Sequence, residues 1–81
     1  MKVIHSDHFR KNFKDFPPDI QRKFGKQVTY LLRDIRHPSL HAKKYDESNS
    51  IWQARVDKNI RFYFVIENNT YILLDIKYHP K

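Results

Sequence analysis

The stretch 51–66 reads I-W-Q-A-R-V-D-K-N-I-R-F-Y-F-V-I, and its residues alternate in polarity on both sides of a short polar break. Because successive side chains of a strand point to opposite faces, this pattern predicts a β-hairpin. One face is apolar, and the other carries arginines and a tyrosine. We expect a three-residue loop at Asp57, Lys58 and Asn59, with Asn59 in the left-handed conformation.

The predicted register of the hairpin places Arg55 directly opposite Arg61. Two like charges that face each other across strands destabilise a sheet, so the pair indicates an anionic partner that both side chains can hold. The alternative is a pair of solvated arginines that turn away from each other.

The charge of the chain points to the same class of partner. Its 81 residues contain 16 Lys and Arg against 9 Asp and Glu, which leaves a formal net charge of +7. Nucleic acid is the commonest partner of such a surface, and an acidic protein is the next. A membrane is not an expected partner, because the sequence has no long apolar segment.

Metal and disulfide chemistry have little support in the sequence. The chain has no cysteine, which excludes disulfides and thiolate metal sites. His5 and His8 are close in sequence but lack a nearby third ligand, so we predict neither a metal nor a cofactor. The N-terminal residues lack the apolar run of an export signal, and we therefore expect a cytoplasmic location.

The residues on either side of the hairpin predict one α+β domain over residues 1–81. A short strand at the N-terminus precedes a helix capped by Ser6 or Asp7, and a second helix runs from Pro18 or Asp19 to before Pro38. Gly25 inside that helix indicates a close approach of the first helix. The segment 37–50 is turn-rich, with at most a short strand near 40–45. The order β-α-α-β-β-β predicts an antiparallel sheet with a two-helix hairpin on one face.

The last strand can pair with the hairpin in two ways. Ile72, Leu74 and Ile76 alternate with Leu73, Asp75 and Lys77, and we place the second set on the arginine face. A three-residue loop would pair Arg61 with Asp75 in a structural ion pair, whereas a five-residue loop would pair Arg61 with Lys77 and bring His79 near it. We favour the longer loop.

Four segments give the chain a resemblance to the RelE/ParE superfamily of bacterial toxin–antitoxin toxins. They are K-V-I-H-S-D-H-F at the N-terminus, H-P-S-L-H-A-K-K-Y, the hairpin, and the closing L-L-D-I-K-Y-H. The chain is most similar to the messenger-cleaving RelE, YoeB and HigB type, which has an arginine on the third strand and a histidine or tyrosine near the C-terminus. Arg61 and the Tyr78-His79 pair match this pattern.

The resemblance implies catalytic roles for Arg61 and His79, and RNA contacts for Lys43 or Lys44. From the residue types, Arg55 can complete a phosphate clamp and Tyr63 can stack on a base. Tyr78 can stack on a base or pack in the core. YoeB-like toxins place a glutamate before the hairpin, whereas this chain has His41 there, so the resemblance names no general base.

The function implied by the resemblance is metal-independent cleavage of messenger RNA on the ribosome. An acidic antitoxin would cover the arginine face, including Leu73, Val65 and Ile51. Two alternatives remain: a ParE-like or degenerate toxin that acts by binding, and a plain nucleic-acid-binding module. Without the resemblance, His79 would be interpreted as a frayed tail residue.

Overall fold

The computed structural model describes residues 1–79. The elements are β1 (Lys2–His5), α1 (Asp7–Phe13), α2 (Pro18–Arg33), a 3₁₀ turn (Pro38–Leu40), β2 (Lys43–Asp46), β3 (Ile51–Asp57), β4 (Ile60–Glu67) and β5 (Thr70–Tyr78). The predicted α+β fold is confirmed, and the short strand near residues 40–45 is present as β2. Within residues 1–79, neither helix combines the length and the apolar character needed to cross a membrane.

The five strands form one sheet in the order β1-β5-β4-β3-β2. Strands β2 to β5 pair antiparallel, as predicted, but β1 pairs parallel with β5. The sheet is therefore mixed. The difference arises because the chain leaves β1, crosses one face of the sheet as two helices and re-enters at the opposite edge, so that β1 lies beside the last strand.

Phenylalanines join the helices to the sheet. Ser6 caps α1, since its hydroxyl oxygen accepts a hydrogen bond of 3.1 Å from the amide of Phe9. The ring centroids of Phe9 and Phe13 lie 5.2 Å and 5.1 Å from that of Phe24, which lies 5.2 Å from Phe62 on β4. Burial of these rings is the main stabilising term for the helix pair.

Gly25 does not mark a close approach of the two helices. It is exposed on α2, and no atom outside its own stretch of helix lies within 4 Å of the place where a Cβ would stand. The sequence-based interpretation is wrong here, because a glycine in the middle of a helix reports a close approach only where a neighbour occupies the space.

Replacing Gly25 by alanine is therefore expected to stabilise the protein by about 1 kcal/mol, since alanine lowers the conformational entropy of the unfolded chain and meets no steric clash. For a domain of this size the melting temperature should rise by roughly 4–8 °C. Thermal unfolding followed by circular dichroism measures this effect. An unchanged or lower melting temperature would show that α2 is constrained at this position after all.

The β3–β4 hairpin has the predicted pairing of Arg55 with Arg61 but a different turn. Asp57 pairs with Ile60, so the loop has two residues, and the strand carries a bulge between Arg55 and Asp57. Asn59 is not in the left-handed conformation. Its amide instead donates a 2.8 Å hydrogen bond to the Asp57 carboxylate, which closes the turn from the side chain.

The β4–β5 hairpin also has the favoured register, with Arg61 opposite Lys77, although the five-residue loop is wrong. Asn68 and Asn69 form a two-residue turn with φ of 49° and 58°, the conformation in which asparagine is well tolerated. A bulge in β5 makes the short turn compatible with the Arg61–Lys77 pairing. Tyr63 pairs with Asp75 and Phe64 with Leu73, which leaves Leu74 as an extra, unpaired residue.

The bulge at Leu74 changes which side chains of β5 reach the core. Leu73 is fully buried against Phe64 in the core and does not lie on the arginine face as predicted. Ile72 takes that position, beside Val65 on β4 and Ile4 on β1. The apolar patch of the arginine face is thus present, with different members.

Candidate functional site

The face of the sheet opposite the helices, hereafter the open face, carries two rows of polar residues. Strand alternation places Arg61 and Tyr63 there, because Phe62 and Phe64 between them are in the core. Cross-strand pairing gives one row of Arg55, Arg61 and Lys77, and a second row of Lys43, Gln53 and Tyr63.

One end of the open face forms a cleft of about 380 Å³. Two segments beside the sheet contribute to it: the chain entering β2 and the chain leaving β5. Its lining residues are His41, Ala42, Lys43, Gln53, Arg55, Arg61 and His79. Three cationic side chains and two histidines meet here, and among residues 1–79 none of the lining residues carries a carboxylate. The cleft is therefore complementary to an anion.

Arg61 lies at the floor of this cleft and is only 7% exposed. The alternative of two solvated arginines is wrong for Arg61, because its Nη1 donates to the carbonyl oxygens of Asp57 at 2.8 Å and Ile60 at 3.3 Å. These bonds hold one edge of the guanidinium. The other N–H groups of this five-donor fork have no hydrogen-bond partner within residues 1–79, so they can bind a ligand in the cleft.

The electrostatics of Arg61 favour an anion at the same place. Burial, and then the neighbouring charge of Arg55, lower the pKa of the Arg61 guanidinium. Arginine stays protonated in proteins, so burial and the Arg55 charge raise the free energy of the charged side chain, which makes no ion pair within residues 1–79. A bound phosphate would offset both effects.

His79 is attached to the rest of the sheet through its backbone. Its amide donates a 2.8 Å hydrogen bond to the carbonyl oxygen of Asn59, in the β3–β4 turn. Its side chain lines the cleft with Arg61. The competing Arg61–Asp75 ion pair does not form, because Arg61 pairs with Lys77 and the Asp75 carboxylate is bound by α1, where it accepts a 2.7 Å hydrogen bond from Asn12 and lies 3.4 Å from Nε2 of His8.

His41 is a cleft residue whose role the sequence did not reveal. It ends the 3₁₀ turn in the left-handed conformation, with φ of 46° and ψ of 42°, which is uncommon outside glycine. The chain thereby reverses into β2 with His41 at the cleft. One feature of the sequence could have identified His41 as a cleft residue: it stands where the YoeB-like toxins have a glutamate, so one ionisable side chain replaces another.

The structure separates the two lysines that the resemblance could not distinguish. Lys43 lies opposite Gln53 and lines the cleft. Lys44 points to the helix side, where its Nζ lies 5.3 Å from the Trp52 ring centroid and 3.8 Å from the Glu47 carboxylate. Of the two, Lys43 is the one placed to meet an anion in the cleft.

The predicted stacking residues lie away from the cleft or beneath other groups. Tyr63 is 6% exposed, covered by the Tyr45 ring at 4.9 Å and by the Nζ of Lys77 at 5.0 Å, and burial raises its pKa. Tyr78 packs on Phe16 at 5.2 Å, on the helix side. Tyr45 is the exposed aromatic residue of the open face, and sequence reasoning missed it because β2 was only weakly indicated.

Comparison with known proteins gives matches of structure only. The chain matches no protein-family model and no curated protein in sequence. A YoeB/ParE toxin from Agrobacterium tumefaciens superposes with a TM-score of 0.81 at 10% identity, over 99% of this chain and 100% of that one.

Two further structures contain a toxin with its antitoxin. The YoeB–YefM complex from Staphylococcus aureus gives a TM-score of 0.79 at 14% identity, covering 99% of this chain and 98% of that one. The RelB–RelE complex from Methanococcus jannaschii gives 0.76 at 17% identity, covering 94% and 89%. The resemblance to the RelE/ParE superfamily is thus confirmed as a shared fold.

Proposed function

We propose, from this RelE/YoeB-like toxin fold, that the protein is the toxin of a toxin–antitoxin pair and cleaves messenger RNA as an endoribonuclease. The observation that carries the proposal is the cleft itself. It joins a buried, pre-oriented Arg61 to Arg55 and to two histidines, and none of its lining residues within the described part of the chain carries a carboxylate.

The chemistry needs a base, a cation and an acid, and side chains of the cleft can supply all three. The ribose 2′-oxygen attacks the adjacent phosphorus as the base takes its proton. The P–O5′ bond breaks as the acid protonates the leaving oxygen. The products are a 2′,3′-cyclic phosphate and a 5′-hydroxyl end, and no metal is required for the balance of this step.

Arg61 would hold the charge that develops on the non-bridging phosphate oxygens. Its bonds to two backbone carbonyls fix the guanidinium before substrate arrives, so little reorganisation is needed at the transition state. Arg55, directly across the strands, would share that charge. The like-charged pair is most stable when a phosphate lies between the two side chains.

His79 and His41 would serve as the acid–base pair. Histidine is the side chain whose charge changes between pH 5 and 8, which suits both roles at neutral pH. His41 fills the place for which the resemblance named no base. In this assignment two histidines transfer the protons of the reaction, and no carboxylate takes part.

The substrate would be messenger RNA held in the decoding site of the ribosome, which would place the protein in the cytoplasm. A net charge of +7 suits a surface surrounded by ribosomal RNA. Incubation of purified protein with messenger RNA, with and without ribosomes, tests the proposal. Primer extension should reveal discrete cuts in the presence of ribosomes, and intact RNA in both reactions would refute cleavage.

An acidic antitoxin would be the second partner. The open face beyond the cleft carries an apolar row across three strands, formed by Ile4, Ile72 and Val65, with Ile4 50% exposed. Apolar side chains next to a cationic cleft suit a peptide rich in acidic and aliphatic residues. The YoeB–YefM and RelB–RelE complexes support an antitoxin as a partner.

The runner-up is a degenerate or ParE-like toxin that acts by binding. The lining residues within 1–79 include no carboxylate, which favours this candidate, because a toxin that had lost its base could keep the fold and the antitoxin. Growth inhibition without RNA cleavage in the ribosome experiment would support this second candidate.

A further inference from the structure

We propose that a second groove, beside the cleft, binds neighbouring phosphates of the same single-stranded RNA. The groove encloses about 350 Å³ between α2, the 3₁₀ turn and the β3–β4 turn. The inference rests on the proposed function, because it assigns the path that the substrate follows on one side of the cut.

The groove and the cleft form a continuous cationic surface. Arg55 and His41 line both of them, so a chain leaving the cleft past these two side chains enters the groove directly. Lys23, Lys26 and Lys58 add three cationic side chains on its walls. Spaced cations that follow a strand's phosphates are the usual footprint of single-stranded nucleic acid binding.

One carboxylate faces this charge and is already occupied. Asp57 accepts a 2.8 Å hydrogen bond from the amide of Asn59, and its other oxygen lies 3.7 Å from the Nζ of Lys23. Lys23 is thereby partly neutralised. Lys26 and Lys58 are exposed and make no ion pair within residues 1–79, so they are the side chains that would meet a phosphate.

The floor of the groove is rigid before any ligand binds. Gln27 is 6% exposed, and its Nε2 donates to the carbonyl oxygens of Ser39 at 3.0 Å and Arg55 at 2.8 Å. Its Oε1 accepts a 3.1 Å hydrogen bond from the Ser39 hydroxyl. One side chain thus ties α2, the 3₁₀ turn and β3 together, which holds the walls at a fixed spacing and reduces the ordering cost of binding.

The test compares two double variants that remove equal charge: Lys26→Gln with Lys58→Gln in the groove, and Lys11→Gln with Lys14→Gln at the C-terminal end of α1. The probe is a fluorescent eight-nucleotide DNA strand, which has phosphates but lacks the 2′-hydroxyl and so cannot be cut. We expect the groove pair to weaken binding roughly tenfold and to lower the salt slope by about 1.4, the value for two phosphate contacts with a single strand. The α1 pair should change affinity by less than about twofold.

Equal effects of the two pairs, or no measurable binding of the probe by the unaltered protein, would overturn the groove. So would a loss seen only with double-stranded RNA, which would assign the lysines to a structured RNA. Because the probe cannot be cleaved, each of these outcomes is separate from the cleavage assay. The groove can fail while the enzyme remains, and cleavage can fail while the groove still binds the strand.

Discussion

Arg61→Ala is expected to lower the rate of RNA cleavage by about 10²–10³-fold, the usual effect of removing one preoriented group that stabilises transition-state charge. The reason is the fixed guanidinium at the floor of the cleft, held by the carbonyl oxygens of Asp57 and Ile60. Single-turnover cleavage of a defined messenger RNA on ribosomes measures this effect without interference from product release.

The burial of Arg61 calls for controls on stability. Its removal leaves two carbonyl groups without their donor, which costs about 1–3 kcal/mol, so unfolding must be followed alongside activity. Arg61→Lys retains a positive charge but loses the planar fork, and it should also cleave at least about tenfold more slowly. Arg22→Ala removes an exposed arginine from α2 and should leave the rate unchanged. Full activity of a folded Arg61→Ala protein would remove Arg61 from the reaction.

The second large effect is expected from the two histidines. His41→Ala and His79→Ala should each lower the cleavage rate by about 10²–10⁴-fold, the range for loss of a general acid or base. The unaltered protein should show a bell-shaped pH–rate profile, because the base must be neutral, which requires higher pH, while the acid must be protonated, which requires lower pH.

Each single variant should lose one side of that profile. Without the base the rate no longer rises with pH on the acidic side, and without the acid it no longer falls on the alkaline side. His8→Ala, on the exposed surface of α1, is the matched control and should leave the profile unchanged. If His41→Ala kept both limbs and the full rate, His41 would be a loop residue and the base would have to be sought elsewhere.

The β4–β5 hairpin shows how far alternation of polarity can be used for prediction. The Arg61–Lys77 pairing is the one that brings His79 near Arg61, and it is correct. Both loop lengths considered for this hairpin, however, assume a strand without a bulge. Residues 71–74 read Y-I-L-L, so the side chains on both faces of the strand are apolar. Nothing in this run therefore indicates the bulge at Leu74. The stronger signal was Asn68-Asn69, a pair suited to a two-residue turn, which together with the pairing requires one extra residue in β5.

The cleft was predictable in its composition and not in its depth. Alternation placed Arg55 and Arg61 on the open face, yet burial of Arg61 depends on two backbone carbonyls that no side-chain pattern encodes. Lys43 and Lys44 could not be separated for a related reason. A four-residue edge strand has too few alternating residues to show which side chains lie on which face of the sheet. In the structure Lys43 pairs with Gln53, which places Lys43 on the open face.

The central claim is that this cleft cuts RNA through the 2′-hydroxyl, and the chemistry of the product ends tests it most directly. Cleaved messenger RNA, produced on ribosomes with the purified protein, can be treated with enzymes specific for each type of end and examined by mass spectrometry. Attack by the 2′-oxygen is expected to leave a 2′,3′-cyclic phosphate on the upstream fragment, or the phosphate derived from it, and a 5′-hydroxyl on the downstream fragment. A 5′-phosphate with a free 3′-hydroxyl would contradict it, because water and not the ribose would then have attacked the phosphorus.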